Sequence, residues 1–409
     1  MTGIVALTWV GILVVAGVCQ AADPPAERGG RVSAEGYTRR TIYHSPQTPG
    51  YTCWVGAWAM PDGSLMTCFT RATGPVKGRP RASKEVRERL GWPPAHDPVG
   101  YDFTGLDLHN VYLRSKDLGE TWEQASADLF HTPGGQMSQG GGQVALRDGT
   151  ILRAVFGFHL PLNPELPQTG YLQRSTDGTK TWGKPEVLLD PAEHTYRITR
   201  MKFLRDGRLI ATGGLARGIP AGTRDSSGYV AAWEPLLLVS SDEGRAWSPP
   251  LDVVPPEHRK GWSGEEWDTA ELPNGDLVCV FRRHDAQDGG RRQVRWQGLL
   301  EKQGTGWTMT RLGPSPLPHS GHPDLLRTCE GVVLHIATTG VHWTDDGGLS
   351  WHPLEFPGLS KPYRSGYYPH ALQLEDGRIR VFAHRGAHDP YGRDQEVLMD
   401  TFRLKEPGR

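Results

Sequence analysis

Six times along 409 residues the chain repeats one local pattern: an apolar run, a tight turn of the Asp-Gly type, and a second apolar run. The copies are AMPDGSLMTCF (59–69), ALRDGTILRAV (145–155), FLRDGRLIATG (203–213), ELPNGDLVCVF (271–281), RTCEGVVLHIA (327–337) and QLEDGRIRVFA (373–383). Asp-Gly or Asn-Gly between alternating apolar residues is the strongest short-range hairpin signal, because these residues reach the backbone conformations a tight turn demands. One hairpin buries little by itself, so six in series predict sheets that stack on one another.

A second repeat runs in phase with the first. It reads Ser115-x-Asp117-x-Gly119-x-Thr121-Trp122, then Ser175-Thr176-Asp177-Gly178-Thr179-Lys180-Thr181-Trp182 with its glycine one place early. Ser240-x-Asp242-x-Gly244-x-Ala246-Trp247 and Thr344-x-Asp346-x-Gly348-x-Ser350-Trp351 follow, and a worn copy keeps only Gly304 and Trp307. Hydroxyl and carboxylate side chains bond nearby amides and fold a tight turn. Glycine supplies a conformation other residues resist, and the indole anchors the turn to the core. Each loop holds too few carboxylates for calcium. The unit therefore reads as a staple between two strands.

Hairpin plus staple gives two hairpins, hence four strands, per unit of about 64 residues. Six four-stranded antiparallel sheets around an axis make an all-β, six-bladed β-propeller. EVLMDTFRL near the C-terminus and RRTIYHS at 39–45 are strand-like, and the second is placed to complete the last blade. The 52 glycines, 33 prolines and 14 tryptophans suit short strands and many turns. A formal net charge of −1 gives no bulk attraction to nucleic acid or to a membrane surface.

Residues 4–18, IVALTWVGILVVAGV, form an uncharged apolar run followed by Ala21 and Ala22. This reads as a signal peptide over 1–22, hence a secreted or periplasmic protein with no stable membrane association once the signal is removed. A flexible segment over 23–35 and a single propeller over 36–409 follow, with an insertion at 72–101 in the first blade, where Ser83 is placed to cap a short helix ending at Gly91. Export leaves Cys53, Cys68, Cys279 and Cys329 as free thiols or disulfides. Cys53 and Cys68 flank one predicted hairpin.

The staples on six hairpin units resemble the sialidase (neuraminidase) superfamily, whose repeats are called Asp boxes or BNR repeats. The resemblance spans nearly the whole chain after the leader and implies a glycan or glycoconjugate substrate and no cofactor. Glu266 lies eight residues before the turn residue Asn274 and Arg282 eight after it, so EEWDTAELPNGDLVCVFR is similar to the family's fourth-blade motif. Tyr368 lies eight before Asp376, the offset of the family's nucleophilic tyrosine, and Tyr367 stands beside it. The resemblance implies that Tyr368 attacks the anomeric carbon, that Glu266 withdraws its proton, and that Arg282 holds a substrate carboxylate. A neutral phenol suits a sugar whose own carboxylate would repel a carboxylate nucleophile.

The sequence departs from that pattern. The first-blade arginine motif is missing, and Cys53 stands at the arginine's offset in YTCWVGAWAMPDG. The family's third arginine precedes the fifth-unit staple, and HIATTGVHWTDDGG has none there. Arg71, Arg197 and Arg200 are candidate substitutes, Arg197 lying nine residues before Asp206. Asp102 and Asp107 are candidates for the acid/base carboxylate, Asp107 the preferred one. Asp324 and His370 occupy equivalent inner-strand positions, six residues before their turn acids, in a stretch that also holds His319, His322, His384 and His388. These histidines suit sugar hydroxyls, proton transfer or metal ligation, and no pair has strong metal-ligand spacing. The expectation is an exo-glycoside hydrolase acting on sialic acid or a related acidic sugar. The alternatives are a propeller hydrolase or lyase for another polysaccharide and a non-catalytic glycan-binding propeller.

Overall fold

The computed structural model describes residues 32–47, 51–75, 78–85, 104–129, 137–156, 166–223, 233–259, 262, 264–287, 290–385 and 396–405. The expected leader and Asp102 lie outside the described residues. The first strand, β1 (Ser33–His44), begins within the segment expected to be flexible. Blade one holds β2 (Tyr51–Ala59), β3 (Leu65–Thr73), β4 (Asp107–Ser115) and β5 (Glu123–Leu129). Blade two holds β6 (Met137–Ala145), β7 (Ile151–Phe156) and β8 (Gly170–Ser175). Blade three holds β9 (His194–Phe203), β10 (Leu209–Arg217) and β11 (Glu234–Ser240). Blade four has β12 (Trp267–Glu271), β13 (Leu277–Gln287), β14 (Gly290–Gln303) and β15 (Gly306–Pro314). Blade five has β16 (Asp324–Arg327), β17 (Val333–Ala337), β18 (Gly340–Thr344) and β19 (His352–Pro353). Blade six joins β20 (Tyr367–Gln373), β21 (Ile379–His384) and β22 (Glu396–Lys405) to β1.

The chain is thus a six-bladed propeller of antiparallel sheets. The outer edge is reduced in two blades: blade two ends on a single bridge between Leu172 and Glu186, and blade three on amides of Ser248 and Leu251 bonded to Val239 and Leu237. β1 pairs antiparallel with β22 from Ser33↔Lys405 to His44↔Glu396, so the first described strand completes the last blade and closes the ring.

All six predicted turns adopt one geometry. In each, the glycine amide bonds the carbonyl three residues back, as Gly63 does to Met60 at 2.9 Å and Gly377 to Leu374 at 2.9 Å. The turn glycines hold φ between +81° and +88°, a region costly for side-chain-bearing residues.

The staples form as the repeat predicts. In the first, the Ser115 hydroxyl accepts from the Gly119 amide at 2.7 Å, Asp117 accepts from the Thr121 amide at 2.8 Å, and the Trp122 indole donates to the Gly119 carbonyl at 3.2 Å. In the second, the misplaced glycine leaves Thr179 in the left-handed region at φ +77°, its amide bonded to Ser175. Each staple tryptophan packs on the seam with the preceding blade: Trp122 against Phe382, Trp182 against Tyr112, Trp247 and Trp351 into the clusters of seams two–three and four–five. Each of the six seams carries its own buried apolar cluster, and each fully buried Leu, Ile, Val or Phe there contributes about 1.5–3 kcal/mol. Cys68 and Cys279 lie buried as free thiols, so the hairpin that Cys53 and Cys68 flank is not bridged, while Cys329 is disulfide-bonded.

Candidate active site

The inner strands β2, β6, β9, β12, β16 and β20 ring the axis, so residues at one offset from their turns meet there. Two residues before Glu266 and two before Tyr368 the chain has Gly264 and Gly366. A Cβ on Gly264 would stand 2.1 Å from the Arg282 carbonyl oxygen, and one on Gly366 2.5 Å from that of His384. Glycine therefore lets both entering segments lie against the neighbouring strand's backbone. Past this point β20 bulges between Tyr367 and His370, and Tyr368 takes φ +49°. A bulky residue in that region costs about 1–3 kcal/mol and persists only where its surroundings dictate it.

The bulge aims the Tyr368 hydroxyl at Glu266, to which it donates at 2.7 Å, Oη to Oε1. Arg282 on β13 donates to the other oxygen, Oε2. Arg197 on β9 binds Glu265 and lies 3.9 Å from Glu266. Blades three, four and six thus contribute one connected group. The Tyr368 ring is half-buried, stacked 6.0 Å from the His384 ring and 6.1 Å from that of His322, whereas Tyr367 is 41% exposed. Exposure and partners together distinguish the two tyrosines.

Burial pushes the Glu266 carboxyl up, but the Arg282 guanidinium, with Arg197 and the Tyr368 hydroxyl, more than offsets it and holds the group well below the usual carboxylate range. Glu266 is therefore ionised at working pH. Its charge in turn raises Arg282. His322 occupies the same eight-residue offset in blade five. Its Nδ1 lies 2.7 Å from the Pro323 carbonyl, which only accepts, so Nδ1 carries the proton. Burial, with Arg200 beside it, holds His322 well below its ordinary value, and the ring stays neutral. Arg295 on β14 donates to Ser320 and Gly321 just before His322, and burial lowers it to about 9.

Beneath this layer, side chains six residues before the turns tie blades three to six together. Asp268 accepts from the Leu325 amide at 2.7 Å, and Asp324 from the Ala371 amide at 3.0 Å. Lys202, four before its turn, reaches Asp268 at 2.6 Å and the Thr269 carbonyl at 3.0 Å. Arg200 crosses the axis and donates to the Pro369 carbonyl at 2.9 Å, its Nε 3.6 Å from Asp324. His370 stands 3.8 Å from Asp324. Burial, reinforced by Asp268 and opposed by Arg200, raises Asp324 to about 7.

Two candidates stand apart. Arg71 donates to the Tyr43 hydroxyl on β1 at 3.3 Å, toward the outer edge of blade six and not to the Tyr368–Glu266 pair. Asp107 is exposed at the start of β4, while Leu106 and Leu108 on either side of it are buried in the cluster that packs Trp54 and Tyr368. Strand alternation therefore turns Asp107 to the opposite face. Glu265 and Arg295 belong to the site's surroundings and were not singled out from sequence. Glu265 sits nine before its turn, the offset already noted for Arg197, and His322 shares the offset of Glu266 and Tyr368. Those offsets were the available signals. For Arg295, at mid-strand in β14, there was none. Among the described residues no group of three or more His, Cys, Asp or Glu side chains is placed to hold a metal ion.

No protein-family model matches the sequence, and no curated protein matches it. Solved structures do. A protein of unknown function from Dyadobacter fermentans aligns over 91% of this chain and 100% of its own, with 20% identity and a TM-score of 0.57. An α-L-arabinofuranosidase of Fusarium graminearum aligns over 90% and 98%, with 14% identity and a TM-score of 0.60. A Hadza microbial sialidase aligns over 90% and 68%, with 17% identity and a TM-score of 0.51. These likenesses establish the shared fold.

Proposed function

We propose that this chain is a secreted or periplasmic exo-glycoside hydrolase with a retaining mechanism, in which Tyr368 is the nucleophile and Glu266 its base. The observation that carries the reading is the 2.7 Å hydrogen bond from the tyrosine hydroxyl to an ionised, arginine-held carboxylate at the mouth of a propeller axis. As Tyr368 Oη bonds to the anomeric carbon, its proton passes to Glu266, the glycosidic C–O bond breaks and the departing oxygen takes a proton from solvent. Water then attacks the anomeric carbon and gives a proton back to solvent, while the glycosyl–tyrosine bond breaks and Glu266 returns its proton to Tyr368. The preferred substrate class is a sialoside or related acidic sugar. Arg197, Arg282 and Arg295 outnumber the carboxylates Glu265 and Glu266 around the pair, and Arg197 and Arg282 retain some exposure. Among the neighbours, the sialidase acts on such sugars by name.

One observation favours a second reading, a neutral glycoside such as an arabinofuranoside. Arg197 and Arg282 each already hold a protein carboxylate, and Arg71 is turned away from the pair.

Fluorophore release from a panel of sialoside, glucuronide and α-L-arabinofuranoside substrates, with Tyr368→Phe as control, tests both readings. Loss of the hydroxyl is expected to lower kcat by about 10³-fold or more on whichever sugar is cleaved. Turnover unchanged in Tyr368→Phe removes the mechanism, and arabinofuranoside turnover with silent sialoside removes the preferred substrate.

A further inference from the structure

Tyr368 sits in a left-handed bulge of β20. The residues that follow it are held from two other blades. Arg200 of β9 donates to the Pro369 carbonyl at 2.9 Å, a contact 169 positions apart in sequence. Asp324 of β16 accepts from the Ala371 amide at 3.0 Å. Arg200 and Asp324 face each other at 3.6 Å and are each 1% exposed. Arg200 also donates to its own Thr199 carbonyl at 3.2 Å, which fixes the guanidinium plane. The two side chains therefore grip the main chain one and three residues beyond Tyr368, one from blade three and one from blade five. Neither is open to a ligand, so neither fits the substrate-binding place that the sequence suggests for Arg200, Asp324 and His370 alike.

We infer that Arg200 and Asp324 are positioning residues: by clamping the Pro369 carbonyl and the Ala371 amide, they keep Tyr368 at positive φ and its hydroxyl on Glu266. The inference rests on the Tyr368 reading above. Planarity matters here. A guanidinium spans the Pro369 and Thr199 carbonyls while lying alongside Asp324, and an ammonium holds one of these at a time. Displacing the nucleophile by about 1 Å costs on the order of 10²-fold in rate without changing how substrate binds elsewhere.

The test compares wild type, Arg200→Lys, Arg200→Met and Asp324→Asn on the sugar identified above. Alongside, 3-fluorotyrosine is incorporated and the Tyr368 fluorine resonance is assigned by its loss in Tyr368→Phe. The expected result for Arg200→Met is kcat lower by about 10²-fold with KM within a few-fold, and a moved or split fluorine resonance. Arg200→Lys is expected to recover part of both, and it carries the test if Arg200→Met does not fold. A folded Arg200→Met with unchanged kcat and an unchanged Tyr368 resonance overturns the inference. If wild type cleaves no glycoside, the glycosidase reading fails, and the fluorine resonance alone still decides the clamp.

Discussion

Glu266→Gln isolates the charge at the centre of the site while leaving a side chain of the same shape. Glu266 is about one-twelfth exposed and Arg282 about one-fifth, and the two are bonded. Removing one partner of a buried pair leaves the other uncompensated, at about 3–5 kcal/mol. The partial exposure of Arg282 places this case near 3 kcal/mol, since water screens what remains. Arg282→Met strands Glu266 at a similar cost. The double variant strands neither, so its cost is expected to fall short of the sum by about 2–3 kcal/mol. In a chain this long each kcal/mol moves the midpoint by about 1–2 °C, so the single variants are expected some 3–6 °C below wild type by calorimetry. The pH dependence has a definite sign. Glu266 is held below its ordinary 4.5, so its contribution is complete above about that pH and is lost as pH falls toward the folded-state value. The deficit of Glu266→Gln is therefore expected to be constant from pH 5 to 8 and to shrink below 4.5. Midpoints within 1 °C of wild type, or costs that simply add in the double variant, refute a carboxylate locked between Tyr368 and Arg282.

Asp324 supplies the opposite sign: its folded-state value of about 7 lies above the ordinary 3.8, so the stability it contributes is complete below about pH 4 and is lost as pH rises through 7. Each pH unit of that gap is about 1.4 kcal/mol, and Asp324→Asn is expected to flatten this part of the stability–pH curve measured by denaturation. Two glycines separate strain from collision. At Gly63, φ is +81° with nothing within 4 Å, and alanine is expected to cost about 1–2 kcal/mol. At Gly264 an added Cβ meets the Arg282 carbonyl at 2.1 Å, and alanine is expected to cost at least twice as much and to lower activity, which Gly63→Ala is not.

The hairpins and staples were legible because their determinants are local. A turn glycine, an aspartate two residues from its serine and a tryptophan seven from it encode their geometry within eight residues. The meeting of Tyr368 and Glu266 was legible for a related reason: a ring of equivalent strands makes distance from the turn a coordinate, so residues 102 apart share a layer. The same coordinate points to His322. It fails where the chain leaves the repeat. Asp107 follows an insertion, and which face of β4 it takes depends on Leu106 and Leu108 packing under Trp54, which no count from a turn reveals. It also fails for direction. Arg71 and Arg200 lie at inner or second strands as their offsets indicate, yet one reaches outward to Tyr43 and the other across the axis to Pro369. The thinning of the outer edge of blades two and three to a bridge and two amide bonds has a further reason, since edge pairing depends on a neighbour and not on the segment's own pattern.

The layered axis has a chemical consequence. In the upper layer Glu266 is ionised and His322 neutral, because Arg282 and Arg197 lie near the first, Arg197 and the Arg200 beneath lie near the second, and burial acts with that field on the histidine and against it on the glutamate. In the lower layer the same burial wins over Arg200, and Asp324 titrates near neutrality. Two carboxylates, two strand positions apart along equivalent inner strands, are thus driven in opposite directions by the placement of guanidinium groups. The upper one is suited to accept a phenolic proton, and the lower one to hold a strand by its amide at little electrostatic cost. Exchanging the two environments would give a protonated residue facing the tyrosine and an ionised one buried beneath it. Propeller geometry allows this division because each blade adds one residue per layer, so the charge of a layer is set by six independent choices and not by the length of any one strand.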